Sequence, residues 1–374
     1  MSPISILPVR TRSEMRAFLR FPHRLYRNDP QWVSPLDADV NERLDVRRNP
    51  FFEHAEREVF LARRDGEVVG RVVAIVDQNH NRVHGEKVVF FGFFESQDDP
   101  AVAQALLVAV ADWGRARGQD ILRGPANLSL NDECAFLYQG YDSPPTVMMP
   151  YNPPYYHPLM AACGLVKAKD LYAYFMDRNF VLDPKVRQVI EATKSAFPGF
   201  VIRTFRAEEW REESEKIKAV YNGGWQKNWG FVPWTEREMD ATVKKLLKMA
   251  DLKIVVLAED KGRPAGFAFA LPNYNEVLKK MNGRLYPFGV LRLLFGRKSI
   301  RGVRILVFGI LPEYWKTGLS YLLYEKLAAN LLASNYTWAE TSWQLEDNEP
   351  VNRFVRSIGG RLYKTYRIYE RRIP

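Results

Sequence analysis

Residues 58–76 read EVFLARRDGEVVGRVVAIV, and residues 253–271 read KIVVLAEDKGRPAGFAFAL. Each stretch is an apolar run, a polar turn carrying glycine (Asp65-Gly66, Lys261-Gly262), and a second apolar run with a glycine near its start, Gly70 and Gly266. A two-residue glycine turn between apolar runs predicts a β-hairpin. The same pattern written twice in one chain predicts a tandem duplication.

The flanks repeat as well. Ahead of the first hairpin lie ILPVR (6–10), a helix-like run from Met15 to Leu25, and PQWVSP (30–35); ahead of the second lie IRTFR (202–206), a helix-like run from Glu208 to Tyr221, and WGFVPW (229–234). After each hairpin comes a strand and then an amphipathic helix: VVFFGFF (88–94) leads into Ala101 to Arg117, and VRILVFGI (303–310) into Leu319 to Leu332. Both halves follow the order strand, helices, hairpin, strand, helix, strand, which predicts a duplicated α+β domain. The 374 residues accommodate two such domains, expected at 1–178 and 179–374 with the boundary within Asp177 to Pro198, after the strand LYAYFM (171–176).

Composition narrows the class. Two cysteines, Cys134 and Cys163, support no disulfide framework, and neither has an identifiable activating partner, so a thiol nucleophile is not expected. The chain opens with Pro3, Pro8 and charges, and no apolar run approaches the ~20 residues of a membrane span. A cytoplasmic location is expected, with the inner face of the membrane as a further possibility. Lys and Arg exceed Asp and Glu by 54 to 44. No helix-turn-helix, zinc spacing or paired RNA-binding aromatics accompany the excess, which disfavours nucleic acid. Part of it is local instead: from Lys279 to Arg304 there are eight Lys or Arg and no Asp or Glu, interleaved with LYPFGVLRLLFG (285–296). Such an insert, with Arg292, Arg297 and Lys298 among its cations, either meets an anionic membrane surface or packs on its own domain.

In the second half, ILPEYWKTGLSYLLY (310–324) places Gly318 and Ser320 at the start of a helix, where exposed backbone N–H groups bind phosphate and a small residue lets it approach. The run resembles the acyl-CoA pyrophosphate loop of the GNAT acyltransferases, strand, Pro-Glu-Tyr, then Arg/Gln-x-x-Gly-x-Gly/Ala opening a helix. Aligned without gaps, Trp315 stands at the Arg/Gln position, Gly318 at the first glycine and Ser320 at the last small residue. NEPVNRFVRSIGGR (348–361) is similar to the family's Asn-x-x-Ala-x-x-Leu-Tyr-x-x-x-Gly-Phe segment, with Val355 where the frequent general-acid tyrosine stands. The resemblance covers both halves in architecture and 303–369 in motif. It implies two GNAT-like domains, each a mixed, mostly antiparallel sheet flanked by helices, and an acyl-CoA co-substrate held by Phe308, Ile310, Trp315, Lys316, Thr317, Gly318, Leu319, Ser320, Asn348 and Arg353. In the first half the corresponding loop reads ESQDDPA (95–101), whose carboxylates repel a pyrophosphate; Asp98, Asp99 and Pro100 make an ordinary helix start. That copy is expected to bind no CoA and to take an acceptor-binding or structural role.

Acylating an amine needs a base and a donor for the thioester oxygen. WAETSWQLEDN (338–348) supplies the candidates: alternation puts Glu340, Ser342 and Gln344 on one strand face, with Glu346 beyond, so Glu340 or Glu346 is the expected base and Ser342 an orienting hydroxyl. The competing reading makes Glu346 part of a helix cap and pairs Glu340 with a basic neighbour. The polar, aromatic segments GPANLSLNDEC (124–134), YDSPP (141–145) and MPYNPPYYH (149–157) offer Asn127, Asn131, Asp132 and Tyr151 as substrate contacts, against a structural role as turns and an aromatic plug. Tyr363, Tyr366 and Tyr369 alternate with Lys364 and Arg367 on the last strand and read as packing, Tyr366 being the one expected to face the cleft. Asp77, His80 and His84 read as a solvated loop rather than a metal site, and no metal is expected.

Three functions remain open at this level. They are an acyl-CoA N-acyltransferase on a lipidic amine such as a sphingoid base or on a soluble amine or peptide, a non-catalytic acyl-CoA or lipid binder, and a nucleic-acid binder. The double GNAT resemblance, which also looks like bacterial acyltransferases of the ceramide synthase type, favours the first, with a long acyl chain.

Overall fold

The computed structural model describes residues 2–374 apart from 178–183, 227, 282, 284–288 and 290–294. The first half runs β1 (Ser5–Pro8), α1 (Arg12–Leu25), α2 (Asp37–Arg43), β2 (Ala55–Arg64), β3 (Glu67–Asp77), α3 (Gln78–His84), β4 (Val88–Ser96), α4 (Pro100–Arg115), β5 (Ile121–Gly124), β6 (Phe136–Gln139), α5 (Tyr156–Ala162) and β7 (Val166–Asp177). The second runs α6 (Pro184–Ala196), β8 (Phe200–Thr204), α7 (Trp210–Gly224), α8 (Glu236–Met249), β9 (Val255–Asp260), β10 (Arg263–Pro272), α9 (Asn275–Leu278), β11 (Gly302–Ile310), α10 (Leu319–Leu332), β12 (Trp338–Leu345), α11 (Glu349–Ser357) and β13 (Arg361–Arg372).

Both hairpins form, and for the same reason. Asp65 and Gly66 have φ of 52° and 78°, Lys261 and Gly262 have 49° and 80°, so each turn has two left-handed residues, the conformation that follows the twist of the flanking strands. Gly70 and Gly266 also share a role. A Cβ at Gly70 would stand 2.8 Å from Leu106 on α4, and one at Gly266 would stand 3.1 Å from Leu323 on α10. Each helix therefore lies directly on its hairpin, burying Val102, Leu106, Leu107 and Val110 in one half and Leu319, Leu322, Leu323 and Leu327 in the other.

The strands make one sheet in the order β1-β2-β3-β4-β5-β13-β7-β12-β11-β10-β9-β8, with β6 also on β13. The two repeats mirror each other about its centre, and their last strands are exchanged. β13, from the end of the chain, lies against β5 of the first half, while β7 of the first half lies against β12 of the second. β7 and β13 pair with each other from Val166↔Glu370 to Phe175↔Arg361. The sheet thus runs across the boundary expected near 178/179.

One local reading is corrected. Residues 78–84 are a helix, not a solvated loop: Asp77 caps it by accepting from Asn79 N (2.9 Å) and His80 N (3.2 Å), and Gly85 ends it at φ 64°. His80 is buried against Phe90. The stretch 177–198, where the boundary is expected, contains α6, whose Val186 and Ile190 pack into the core beneath α10; residues 178–183 of it lie outside the described set. Among the described residues no group of three His, Cys, Asp or Glu could hold a metal, and no helix is long and apolar enough to cross a membrane.

An ionic contact ties the halves. His54 Nδ1 meets Asp77 Oδ1 at 3.0 Å and its Nε2 meets Glu238 Oε1 on α8 at 3.2 Å. Burial disfavours the imidazolium, but the hydrogen bonds and charges of the two carboxylates outweigh it and raise the pKa to about 9. Stability from this contact is complete below the unfolded value near 6.5 and is lost as pH rises toward 9. After discounting for solvent screening, urea unfolding is expected to lose about 1–2 kcal/mol between about pH 6 and pH 9.5, and His54→Gln to remove that dependence. An identical pH dependence in the variant would exclude His54 as the bridge.

Candidate active site

β11 and β12 are parallel and pair only from Gly302↔Trp338 to Ile305↔Thr341; beyond that they diverge. The wedge opens into a cleft of about 1160 Å³ between the halves, where Leu306, Phe308, Ser342, Gln344, Asn348 and Phe354 are among the lining residues. The equivalent wedge of the first half also opens, after Phe90↔Arg123, but the chain fills it. Ala126 N donates to Phe91 O (2.9 Å), Phe93 N donates to Asn127 Oδ1 (2.7 Å), and a Cβ on Gly92 would lie 1.9 Å from Ala126 O. Its phosphate-loop position is equally occupied: Glu95 accepts from Tyr26 (2.6 Å) and Tyr156 (2.7 Å), and Asp99 caps α4 and pairs with Arg64 at 2.8 Å.

At the open wedge, Gly318 sits at φ +86° as the N-cap of α10. A Cβ there would also meet Thr193 Oγ1 of α6 at 2.2 Å, so the loop is moulded against α6. Thr317 Oγ1 accepts from Leu319 N (3.3 Å), and Trp315 Nε1 donates to Ile310 O (3.0 Å) with its ring exposed. Lys316 is exposed and Leu319 fully buried. A left-handed glycine opening a helix, a neighbouring lysine and the partly exposed Ser320 fit a pyrophosphate; Trp315 supplies a flat apolar face where Arg or Gln is the pattern. Phe308 packs on Phe354 (5.4 Å between rings). Asn348 caps α11, and Arg353 is exposed, 3.6 Å from Glu349.

The two carboxylates proposed from sequence have different fates. Glu346 is held by Lys167 Nζ (2.6 Å) and Asp170 N (3.0 Å) just past the end of β12. Glu340 is fully buried: Oε1 accepts from Thr146 Oγ1 (2.5 Å) and from Ser342 Oγ, and Oε2 accepts from Tyr363 OH. Ser342 Oγ in turn accepts from Arg304 Nε at 2.8 Å. The expected regular alternation ends at Ser342, because the register against β7 shifts between Thr341 and Gln344; Gln344 therefore turns to bond Thr341 Oγ1 at 2.8 Å. Burial pushes Arg304 down, opposed by the charge of Glu340, and pushes Lys364 down to about 8. Burial and then the Glu340 charge hold the Tyr363 hydroxyl well above its ordinary value.

Of the first-half candidates, Asn127, Asn131, Asp132 and Tyr151 all line the cleft, each with a partner: Phe93 N for Asn127, Val232 O for Asn131 (2.6 Å), Ser129 Oγ for Asp132 (2.8 Å) and Asp29 for Tyr151 (2.8 Å). Tyr366 is fully buried in the core rather than on the cleft wall, its hydroxyl without a hydrogen-bond partner. Burial raises the Cys134 thiol, consistent with no thiolate. Arg304 and Thr146 complete the centre without having been singled out, and Tyr363 and Lys364, read from the sequence as strand packing, join them there. Tyr363 and Lys364 carried one signal, their place on the last strand beside the candidate cleft residue Tyr366.

A splayed parallel strand pair, a glycine-opened helix beside it and a duplicated repeat define a tandem GNAT-type N-acyltransferase. The fold agrees: the "Tandem GNAT protein from the clavulanic acid biosynthesis pathway" superposes with a TM-score of 0.57 over 100% of this chain and 99% of its own, at 12% identity. No family model matches the sequence. Two curated proteins are similar over nearly the full length: the bacterial ceramide synthase of Caulobacter vibrioides (strain NA1000 / CB15N), 35% identical over 98% of this chain and 97% of its own, and Protein YghO of Escherichia coli (strain K12), 33% identical over 97% and 94%. The chain belongs to the GNAT-type acyltransferases of the bacterial ceramide synthase-like family.

Proposed function

We propose that this protein transfers a long acyl chain from acyl-CoA to the amine of a lipid, a sphingoid base being the favoured acceptor. The observation that carries the reading is the cleft: about 1160 Å³, beyond the ~300–1000 Å³ of an ordinary small-molecule site, and lined by Met148, Trp225, Met239, Phe267, Phe269 and Leu306 among others. Two alkyl chains need such room. The name of the Caulobacter relative supports the acceptor class.

In this reading the CoA half binds along 308–320 and the first half closes the other wall with Asn127, Asn131, Asp132 and Tyr151. The thioester supplies an acyl carbon activated by a good leaving group. The amine nitrogen forms the new C–N bond, the C–S bond breaks, and the thiolate takes a proton from solvent. The nitrogen's proton passes to Ser342 Oγ while the Ser342 proton passes to Glu340, so the base acts through one hydroxyl. Support for this route is that Ser342 lines the cleft and donates to Glu340.

The basic insert is the proposed contact with an anionic membrane surface. Arg292 and most of Leu285–Ile300 lie outside the described residues; of the rest, Phe295 is 77% exposed while Arg297 donates to Ala250 O (2.6 Å). A binder without catalysis is the second reading, favoured by Trp315 and Val355 at their pattern positions. The test is turnover of acetyl- through palmitoyl-CoA against a sphingoid base and a soluble amine. Each buried CH₂ is worth ~0.8 kcal/mol, roughly fourfold, so kcat/KM is expected to climb over several methylenes with the sphingoid base. Equal use of acetyl-CoA would sink the lipid reading, and no turnover with any amine would leave the binder.

A further inference from the structure

We infer that residues 143–148 of the first half form a strap that belongs to the catalytic centre of the second, with Thr146 as a positioning residue for Glu340. Six consecutive backbone carbonyls of this segment are each taken by a second-half side chain. Lys364 Nζ donates to Ser143 O (2.6 Å) and Pro144 O (3.1 Å); Asn275 Nδ2 donates to Pro145 O and Thr146 O (both 2.9 Å); Arg304 Nη1 donates to Val147 O (3.0 Å) and Met148 O (2.9 Å). Val147 N donates to Asn273 Oδ1 at 2.9 Å. A loop that only needed covering would use solvent for most of these groups. Here three donors, of which Lys364 and Arg304 are buried, fix its height and direction.

What the strap delivers is one hydroxyl. Thr146 is 1% exposed, and its Oγ1 donates to the same Glu340 oxygen that takes the Ser342 proton. Arg304 grips both sides of the arrangement: its Nη1 holds the strap, while its Nε occupies one lone pair of Ser342 Oγ, directing the Ser342 proton toward Glu340. The strap therefore adds a second hydroxyl donor to the carboxylate and keeps it aimed at Ser342. The first repeat, its own wedge filled, thereby becomes part of its twin's site.

The inference rests on Glu340 being the base, and the test separates the two. In the full chain, Thr146→Val is expected to lower kcat about 10-fold, to leave KM for acyl-CoA within about twofold, and to move the acidic limb of the kcat–pH profile to higher pH. Thr146→Ser is expected to restore both. Asn275→Ala, which frees the strap carbonyls without touching Glu340, is expected to move the same limb, and its reading stands if Thr146→Val fails to fold. Wild-type kcat and pH profile in Thr146→Val and Asn275→Ala, beside an inactive Glu340→Gln, would overturn the strap and keep the base. A lowered kcat with an unmoved limb would make the strap merely structural. An active Glu340→Gln would instead remove the base on which the inference rests.

Discussion

Glu340→Gln is expected to reduce turnover about 10²-fold or more while acyl-CoA affinity stays near wild type. The amide keeps the shape and can still accept from Thr146 or Ser342, but it cannot take the proton that Ser342 passes on. Glu340 is not itself on the cleft wall, so the loss should fall on kcat rather than KM. Glu346→Gln is expected to leave turnover near wild type, because its carboxylate already serves Lys167 and Asp170 N. Steady-state kinetics of both variants with one acyl-CoA decide the matter. If the Glu346 variant is the inactive one, the base has been assigned to the wrong carboxylate; if neither loses activity, no carboxylate of this strand is the base.

Arg304→Met is expected to cost about 3–5 kcal/mol of folding stability, a large share of the roughly 5–15 kcal/mol typical of a folded protein. Arg304 is 3% exposed and satisfies Ser342 Oγ, Ser342 O, Val147 O and Met148 O. Methionine fills much of the same volume but leaves these acceptors, and the buried Glu340 charge, with Lys364 as the remaining nearby cation. Pairing the change with Glu340→Gln neutralises both ends, so the double variant is expected to lose less than the sum of the singles. Denaturant unfolding measures this. Strict additivity, or a single-variant cost below about 1 kcal/mol, would mean that the two charges do not depend on each other.

The repeats, the two hairpins, the strand–helix order and the glycine-opened helix at Gly318 are legible in the sequence. Each is local: side-chain period, turn chemistry and helix starts are set by residues a few positions apart. Glu340 and Ser342 were also within reach, since polar side chains two apart on an apolar strand are rarely packing. The regularity assumed beyond them failed, because the strand's pairing with β7 slips between Thr341 and Gln344, beside the proposed base and hydroxyl. Asp77 to Gly85 was misread despite a capping aspartate and a closing glycine, since its short polar helix has no apolar stripe to announce it.

The sequence by itself determined that the chain is a GNAT-like repeat written twice, with one copy carrying the glycine-opened helix start and the other an acidic loop. Tertiary structure alone decided that β7 and β13 change partners, that residues 124–135 close the first wedge, and that residues 143–148 reach Glu340. These outcomes depend on pairings between residues as far apart as Thr146 and Glu340, for which no local period or motif exists. The physical reason is that a hydrogen bond specifies geometry and not sequence distance. A carbonyl held by Asn275 or Arg304 looks, in the sequence, like any other residue of a proline-rich turn.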